Sequence, residues 1–144
     1  MIRLAIESDL PELLRMSESF FNKSGYSDLT TFSKEDSTKT LMHLIEVGTL
    51  LTDGKSLMLG FLVFPLFVNM QTIVAQELFW WVDEDARKGG QGIKLLKSAE
   101  KLAREKGATA LMMLSIKELD GEKINKLYGA LGYTEREQVH MRVL

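Results

Sequence analysis

The sequence predicts a single α/β (α+β) domain over residues 1–144, built on a mixed, mostly antiparallel central sheet flanked by helices. Its length of 144 residues and its hydrophobic and charged contents, 45% and 26%, are those of one globular domain. The hydrophobic period changes from helical to alternating and back to helical, which indicates both kinds of element. No repeat, linker or low-complexity tract divides the sequence. We therefore expect one core, with helices on the faces of a sheet.

The amino-terminal half predicts a strand, two helices and a hairpin. Asp9, followed by an early proline, is typical of a helix start, and the polar run 22–27 stops that helix. Ser33, with an aspartate three places on, resembles a second helix cap. The Asp-Gly pair at 53–54 lies between two apolar runs, as in a hairpin turn. The predicted elements are a strand at 2–6, helices at the two caps, the second reaching 48, and hairpin strands at 49–52 and 57–64.

The carboxyl-terminal half predicts a long strand, two helices, a short strand and a last hairpin. Alternation at 72–82 indicates a strand that ends in the polar loop 83–85. The strand's predicted common face consists of Ile73, Ala75, Glu77, Phe79 and Trp81. From Gly92 the period is helical, and Gly107 is placed as a carboxyl-terminal cap. The remaining elements are a strand at 109–115, a helix at 122–131 closed by Gly132, and a hairpin formed by Tyr133 and 139–144.

Charge and composition exclude several classes of protein. A net charge of −2 provides no field for a nucleic-acid backbone, and the absence of cysteine excludes disulfides and thiolate metal sites. His43 and His140 have no partner at ligand spacing, so we expect no metal. Charged residues break the stretch 1–10 as a signal peptide, and the apolar stretch 57–68 is shorter than the roughly 20 residues that span a membrane. The cytoplasm is the default expectation.

A glycine-rich segment joins the long strand to the helix that follows it. Gly89, Gly90 and Gly92 remove side chains that would keep a ligand away from the backbone. The free N–H groups and the positive dipole end of a helix's first turn suit phosphate or pyrophosphate. Arg87 and Lys88 add positive charge. The segment therefore predicts an anion site, although glycines of this kind can also form an ordinary connection between strand and helix.

Two other phosphate-binding patterns fail in this sequence. A dinucleotide-binding fingerprint needs a third glycine where Leu95 stands. A phosphate loop at 54–56 needs a glycine at Thr49, and the segment after it reads as a strand, so 54–56 is interpreted as a hairpin turn. Phosphoryl transfer also requires a lysine-serine pair where Ile93 and Lys94 stand.

Two motifs resemble the GNAT superfamily of N-acetyltransferases. Residues 87–92, Arg-Lys-Gly-Gly-Gln-Gly, match the family signature R/Q-x-x-G-x-G/A between a strand and a long helix. Residues 125–133, Asn-Lys-Leu-Tyr-Gly-Ala-Leu-Gly-Tyr, resemble the family segment N-x-x-Y-x-x-L-G-F/Y. With a similar start at 2–9, the resemblance spans nearly the whole chain. Lys88-Gly89 and Tyr133 depart slightly from the commoner residues.

The resemblance implies that acetyl-CoA is the cosubstrate. In the family, backbone amides of the glycine-rich segment hold the pyrophosphate, while the pantetheine arm pairs with the preceding strand. Such pairing requires the strand at 72–82 to splay from the strand at 109–115, and in the family a bulge helps to open that gap. The residues expected to bind the cosubstrate are Trp80, Trp81, Val82, Arg87, Lys88, Gly89, Gly90, Gln91, Gly92, Ile93 and Asn125.

The resemblance also assigns chemical roles. Tyr128 is the candidate acid that protonates the departing thiolate, although its helical stripe is also typical of a core tyrosine. Glu77 is the candidate base for an acceptor that arrives as an ammonium ion, with an ordered water as the alternative. Asn125 lies one helical turn before Tyr128 and would bond CoA or the tyrosine region, or face solvent. Of Trp80 and Trp81, at least one is expected in the core.

The predicted reaction is transfer of an acetyl group to a primary amine by direct attack on the thioester, without metal. The acceptor is a small-molecule or peptide amine, no nucleic-acid or membrane partner is expected, and a homodimer is allowed. The alternative is a catalytically silent GNAT-like module that binds CoA as a sensor or for interaction. Tyr128 favours the enzyme over this alternative.

Overall fold

A computed structural model describes all residues, 1–144, and contains four α-helices and one open sheet of five strands. Short 3₁₀ turns connect several of these elements. The elements in chain order are β1 (Arg3–Leu4), α1 (Leu10–Lys23), α2 (Lys34–Val47), β2 (Leu50–Thr52), β3 (Leu57–Leu66), β4 (Asn69–Val82), α3 (Gln91–Glu105), β5 (Ala110–Met112) and α4 (Gly121–Ala130).

The sheet follows the chain order β1-β2-β3-β4-β5. The pairs from β1 to β4 are antiparallel, and β4 pairs with β5 in parallel. The sheet is therefore mixed and mostly antiparallel, and the predicted fold class is confirmed. None of the helices is both long enough and apolar enough to cross a membrane.

The helices divide between the two faces of the sheet. Buried residues of α1 and α2, including Leu13, Met16 and Leu44, pack with Met58 and Trp81 of the sheet. We call this side the α1/α2 face. Buried residues of α3, together with Tyr128 of α4, pack with β3 and β4 on the other side, which we call the α3/α4 face. One sheet thus separates two apolar clusters.

The caps that the sequence predicts are present on α2. The Ser33 hydroxyl accepts the N–H of Asp36 at 3.1 Å, and Gly48 follows the last turn. Side-chain capping of this kind satisfies an N–H that the helix itself leaves without a partner. The helix therefore begins where the serine stands, as predicted.

A β-bulge interrupts β4 at Leu78. In the register between β3 and β4, Gly60 faces Phe79 while Phe61 faces Glu77, which leaves Leu78 without a partner. An extra residue reverses the alternation of side chains beyond it. The prediction that the odd-numbered residues 73–81 share one face is therefore wrong. Glu77 lies opposite Phe61 of the α3/α4 cluster, whereas Phe79 and Trp81 pack on the α1/α2 face.

The strands β4 and β5 separate after a short contact. Their pairing covers only Val74, Ala75 and Gln76 of β4, although β4 continues to Val82. The predicted strand at 109–115 is accordingly shorter, since β5 ends at Met112. The last part of β4 thus has β3 on one side and an unpaired edge on the other.

The predicted last hairpin is absent. Residues 133–144 form no regular secondary structure, and Val139, Met141 and Val143 are exposed. Alternating apolar residues fit a pleated surface only when a neighbouring strand and a buried face are available, and neither is present here. Tyr133 instead packs its ring against Tyr128, with centroids 5.4 Å apart, and donates its hydroxyl hydrogen to Glu100 at 2.8 Å.

Candidate active site

The start of α3 is an uncapped helix end in an open setting. Gly89 and Gly90 adopt φ values of 99° and 75°, in the left-handed region that favours glycine. A Cβ at either position would meet nothing within 4 Å, so the space beside this backbone is open. No side chain caps the helix, and Lys94 N–H is the donor that bonds back to Gly90 at 3.1 Å. The first-turn amides before Lys94 therefore point out of the helix without partners in it.

The first turn of α3 lies against the end of β4. A Cβ on Gly92 would stand 3.5 Å from Val82 and 3.6 Å from Trp80, which are ordinary contact distances. Arg87, Lys88 and Gln91 are exposed, whereas Ile93 is partly buried. The structure thus brings the glycine-rich segment and the last residues of β4 into one place.

The unpaired edge of β4 presents alternate backbone groups. Asp83 N–H donates to the carbonyl of Ser56, the residue just before β3, at 2.8 Å, so Asp83, Trp81 and Phe79 direct their backbone toward β3. By alternation, Trp80 and Val82 direct theirs toward the side that β5 has left. The Val82 carbonyl accepts Arg87 Nε–H at 3.0 Å on that side. The edge therefore offers backbone donors and acceptors beside the start of α3.

The two tryptophans lie on opposite faces. Trp81 is 5% exposed within the α1/α2 cluster, and its Nε1–H donates to Asp83 at 2.8 Å. Trp80 packs in the α3/α4 cluster, where its buried Nε1 has no hydrogen-bond partner. An unpaired buried donor is costly, so it is an informative feature next to an open edge. Trp80 borders the gap that β5 leaves beside the end of β4, which we call the cleft. The Trp81 side chain faces away from it.

Tyr128 belongs to α4, and its side chain lies near the place where β5 separates from β4. It is 8% exposed, its ring centroid is 6.1 Å from that of Trp80, and its hydroxyl donates to the Leu114 carbonyl at 2.6 Å. Burial, and then interaction with the neighbouring acidic groups Glu77 and Tyr133, raise the pKa of Tyr128 well above its usual range. The hydroxyl therefore keeps its proton at neutral pH.

Glu77 is a buried carboxyl on the same side of the sheet. It is 5% exposed and accepts the Leu114 N–H at 2.8 Å. Burial raises the pKa of Glu77 to about 7, and the Leu114 hydrogen bond opposes that rise. Glu77 and Tyr128 thus bind the backbone N–H and the backbone carbonyl of the same residue, Leu114. A main-chain group of this kind carries no signal in the sequence.

The remaining predicted groups lie outside this arrangement. Asn125 is exposed on α4, one turn before Tyr128, and His43 and His140 are exposed as well. No three His, Asp or Glu side chains are grouped as metal ligands. A surface depression of about 280 Å³ lies at the far end of α3 and is lined by Tyr133, Glu100 and Leu111 among others, but by none of Trp80, Glu77 and Tyr128.

Sequence reasoning missed Arg15 and the role of Asp83. Arg15 on α1 contacts Asp83 at 2.6 Å, and Asp83 in turn fixes Trp81. The sequence showed 83–85 only as a polar loop. The two residues are 68 positions apart, so no local pattern could have connected them.

The sequence matches the model of the acetyltransferase (GNAT) family over residues 10–133. None of the curated protein sequences is significantly similar to it. The fold resembles a transcriptional regulator from Bacillus halodurans C-125, with a TM-score of 0.77, 18% identity and coverage of 99% of this chain and 98% of that one.

Two aminoglycoside acetyltransferases are also similar in structure. One is the 6'-N-acetyltransferase AAC(6')-IG from Acinetobacter haemolyticus, with a TM-score of 0.69, 18% identity and coverage of 100% and 97% of the two chains. The other is AAC(6')-Iy in complex with CoA, with a TM-score of 0.72, 14% identity and coverage of 99% and 92%. At these identities the likeness concerns the fold. Since the family match spans most of the sequence, the chain belongs to the acetyltransferase (GNAT) family.

Proposed function

We propose that the chain is an acetyl-CoA-dependent N-acetyltransferase that acts on a primary amine of a small molecule or a peptide. The observation that carries the proposal is the uncapped, glycine-rich start of α3 beside the unpaired edge of β4. An anion site and a strand edge next to each other suit a ligand with a pyrophosphate at one end and an amide-containing arm at the other.

The pyrophosphate end fits the start of α3. The amides of Gly90, Gln91, Gly92 and Ile93 point out of the first turn, and open space lies beside Gly89 and Gly90. Aligned N–H groups and the helix dipole attract an anion without any side chain. Arg87 and Lys88, both exposed, add charge at the same end. Their charges make phosphate binding sensitive to salt.

The arm fits the edge of β4. Trp80 and Val82 direct backbone groups toward the gap, where a ligand's amides would pair as an added strand does. Bound acetyl-CoA brings a thioester, whose carbonyl is open to attack by a neutral amine. A backbone N–H of Trp80 or Val82 would stabilise the charge that develops on its oxygen.

Tyr128 would supply the proton for the departing sulfur. Its raised pKa keeps the hydroxyl protonated, and its position near Trp80 puts it beside the same gap. Its hydrogen is directed at the Leu114 carbonyl, so the hydroxyl must turn about its C–O bond to reach a sulfur in the cleft. The raised pKa disfavours a lasting tyrosinate, so transfer would be concerted with recovery of a proton.

Glu77 would accept the proton that the ammonium form of the acceptor must lose. A carboxylate with a pKa of about 7 is half ionised at neutral pH, which suits a general base. The carboxyl accepts the proton directly or through an ordered water. In the balance of the reaction, the amine gains the acetyl carbon and the carbon–sulfur bond breaks. Of the ammonium's two lost protons, one goes to solvent through Glu77 and the other corresponds to the new thiol hydrogen.

The alternative is a CoA-binding module without turnover. It requires the same α3 and β4 features, but the only role of Glu77 and Tyr128 would then be to bind the backbone N–H and carbonyl of Leu114. The buried carboxylate favours the enzyme, since a neutral side chain could accept the same N–H without the cost of burying a charge.

Thermal melting with acetyl-CoA, followed by a thiol-release assay on a panel of amines, tests the proposal. The panel contains an aminoglycoside, a polyamine, and short peptides with a free amino terminus or a lysine. We expect acetyl-CoA to raise the melting temperature and at least one amine to release CoA thiol above the rate without amine. Binding without release across the panel would support the silent module, and no change in melting would contradict both.

A further inference from the structure

We propose that Asp83 and Trp81 are positioning residues that hold Arg87 ready for a phosphate group of CoA. The inference rests on the proposed function and assigns a role to residues outside the glycine-rich turn. It comes from a connected set of contacts that runs from α1, through the end of β4, to the first residue of the segment before α3.

Asp83 is the centre of these contacts. Its carboxylate accepts two hydrogen bonds from Arg15, at 2.6 and 3.2 Å, and one from Trp81 Nε1 at 2.8 Å. Arg15 also donates to the Lys55 carbonyl at 3.0 Å, and Asp83 N–H donates to Ser56 at 2.8 Å. Both oxygens of the carboxylate are thus occupied, and the indole of Trp81 is fixed in orientation.

The ring of Trp81 in turn contacts the side chain of Arg87. The guanidinium carbon of Arg87 lies 5.3 Å from the centroid of the Trp81 ring, within the range of a cation–π contact. The Nε–H of Arg87 donates to the Val82 carbonyl at 3.0 Å. Two contacts therefore fix the near side of the guanidinium. Its terminal nitrogens make no hydrogen bond or ion pair within the protein, and Arg87 is exposed, so they are free to bind a ligand.

The neighbouring acidic residues do not capture Arg87. Asp83, Glu84 and Asp85 are two to four positions before it, yet the ion pairs of the structure include none between Arg87 and a carboxylate. Asp83 is paired with Arg15 instead. Occupation of Asp83 by Arg15 and Trp81 thus has two effects, because it orients the Trp81 ring beside Arg87 and leaves Asp83 paired with a different cation.

A double-mutant cycle on acetyl-CoA binding tests the proposal. Calorimetry would give the affinity of the wild type, Arg87→Ala, Asp83→Asn and the double variant. We expect Arg87→Ala and Asp83→Asn each to weaken binding by about 3- to 10-fold, the range of one cation–π or charged contact. If Asp83 acts through Arg87, the double variant should bind no worse than Arg87→Ala alone.

Two further variants provide a matched control and a second, independent double-mutant cycle. Glu12→Gln removes the other, exposed carboxylate that contacts Arg15, at 2.7 Å, and should leave acetyl-CoA affinity unchanged. Trp81→Phe keeps an aromatic ring but loses the bond to Asp83, and its cycle with Arg87→Ala should also be non-additive. If Asp83→Asn fails to fold, the Trp81→Phe cycle decides. In steady-state assays Arg87→Ala, Asp83→Asn and Trp81→Phe should raise KM for acetyl-CoA and leave kcat unchanged, whereas Glu12→Gln should change neither.

The outcomes separate this inference from the proposed function. If the wild type does not bind acetyl-CoA, the proposed function fails. If the wild type binds and the losses from Asp83→Asn and Arg87→Ala are additive, the two residues act independently, and the positioning role is overturned while the proposed function stands. A loss of melting temperature without a change in affinity would likewise show that Asp83 acts on stability alone.

Discussion

The two faces of the sheet bury similar apolar clusters but treat polar groups differently. On the α1/α2 face, Trp81 finds an acceptor in Asp83, and Asp83 is paired with Arg15. On the α3/α4 face, Glu77 is buried without a cation and Trp80 Nε1 has no partner. Unpaired buried groups reduce stability and persist mainly where function requires them. The α3/α4 face therefore holds the groups that we assign to the chemical step, whereas the paired groups of the α1/α2 face stabilise the fold and, in our proposal, position Arg87.

The bulge at Leu78 creates this difference. Without it, strict alternation would have placed Glu77 and Trp81 on the same face and would have directed Trp80 to the other. With it, Glu77 and Trp80 share the α3/α4 face with Tyr128. The reversal occurs just beyond the last pairing with β5, so the same stretch of β4 carries the opened edge and the rearranged side chains.

The largest effect should come from Gly92→Glu on the α3/α4 face. A carboxylate at the start of α3 would oppose the phosphates, and like charges in contact cost several kcal/mol, so acetyl-CoA affinity should fall by about 100-fold or more. Calorimetric titration measures the change. Gly92→Ala is the control, because a Cβ makes only ordinary contacts with Val82 and Trp80 at 3.5 and 3.6 Å. Undiminished binding by Gly92→Glu would put the phosphates elsewhere.

Tyr128→Phe should lower turnover by about 10²- to 10⁴-fold, the usual contribution of a general acid, while acetyl-CoA affinity changes little. Single-turnover measurements at saturating acetyl-CoA report the chemical step. Tyr133→Phe is a matched control, since it removes a hydroxyl bonded to Glu100 from the adjacent ring. If the two variants lose equal activity, Tyr128 has no special part in the reaction.

Matched core truncations sharpen the comparison of the faces. Leu44 on α2 and Leu96 on α3 are both fully buried, so each change to Ala should cost about 2–5 kcal/mol of the free energy of unfolding. Leu44→Ala should leave acetyl-CoA affinity unchanged, whereas Leu96→Ala should weaken it by loosening α3. Urea denaturation and calorimetry measure the two quantities. Equal effects of both variants on affinity would remove the distinction between the faces.

Glu77→Gln should change how stability depends on pH. The folded protein holds the Glu77 proton up to a pKa of about 7, while the unfolded chain releases it near 4.5. The contribution of Glu77 to wild-type stability should therefore be complete below pH 4.5 and be lost as the pH rises to 7, a change of about 3 kcal/mol. The variant should lack this fall, and the exposed control Glu46→Gln should retain it. Urea denaturation at pH 5 and 8 reveals the difference, and parallel profiles would contradict the buried charge.

The sequence allowed the helices and most of the sheet to be predicted because their signals are local. The cap at Ser33, the turn at 53–54 and the helical stripe after Gly92 each lie within a few residues of the element they define. The motifs likewise identified the family, which the match over residues 10–133 confirms. Elements that are defined by neighbouring residues in this way form where the sequence predicts them.

What the sequence could not predict depends on distant neighbours. The bulge at Leu78 arises from the register with β3, and the early end of β5 from its separation from β4. The predicted strand at 139–144 has an alternating pattern but no partner. In the candidate site, the hydrogen bonds of the Leu114 backbone to Glu77 and Tyr128 join elements far apart in the chain. The Arg15 contact with Asp83 does the same.

Backbone amide chemical shifts during a titration with acetyl-CoA test whether the start of α3 and the unpaired edge of β4 form the binding site. We expect saturable shifts at residues 88–93 and at Trp80 and Val82, together with a shift of the Trp80 indole N–H, which has no partner in the protein. The Trp81 indole N–H, held by Asp83 on the other face, should move much less. Shifts confined to other parts of the chain, or no shifts at millimolar acetyl-CoA, would show that acetyl-CoA does not bind at the start of α3 and the edge of β4.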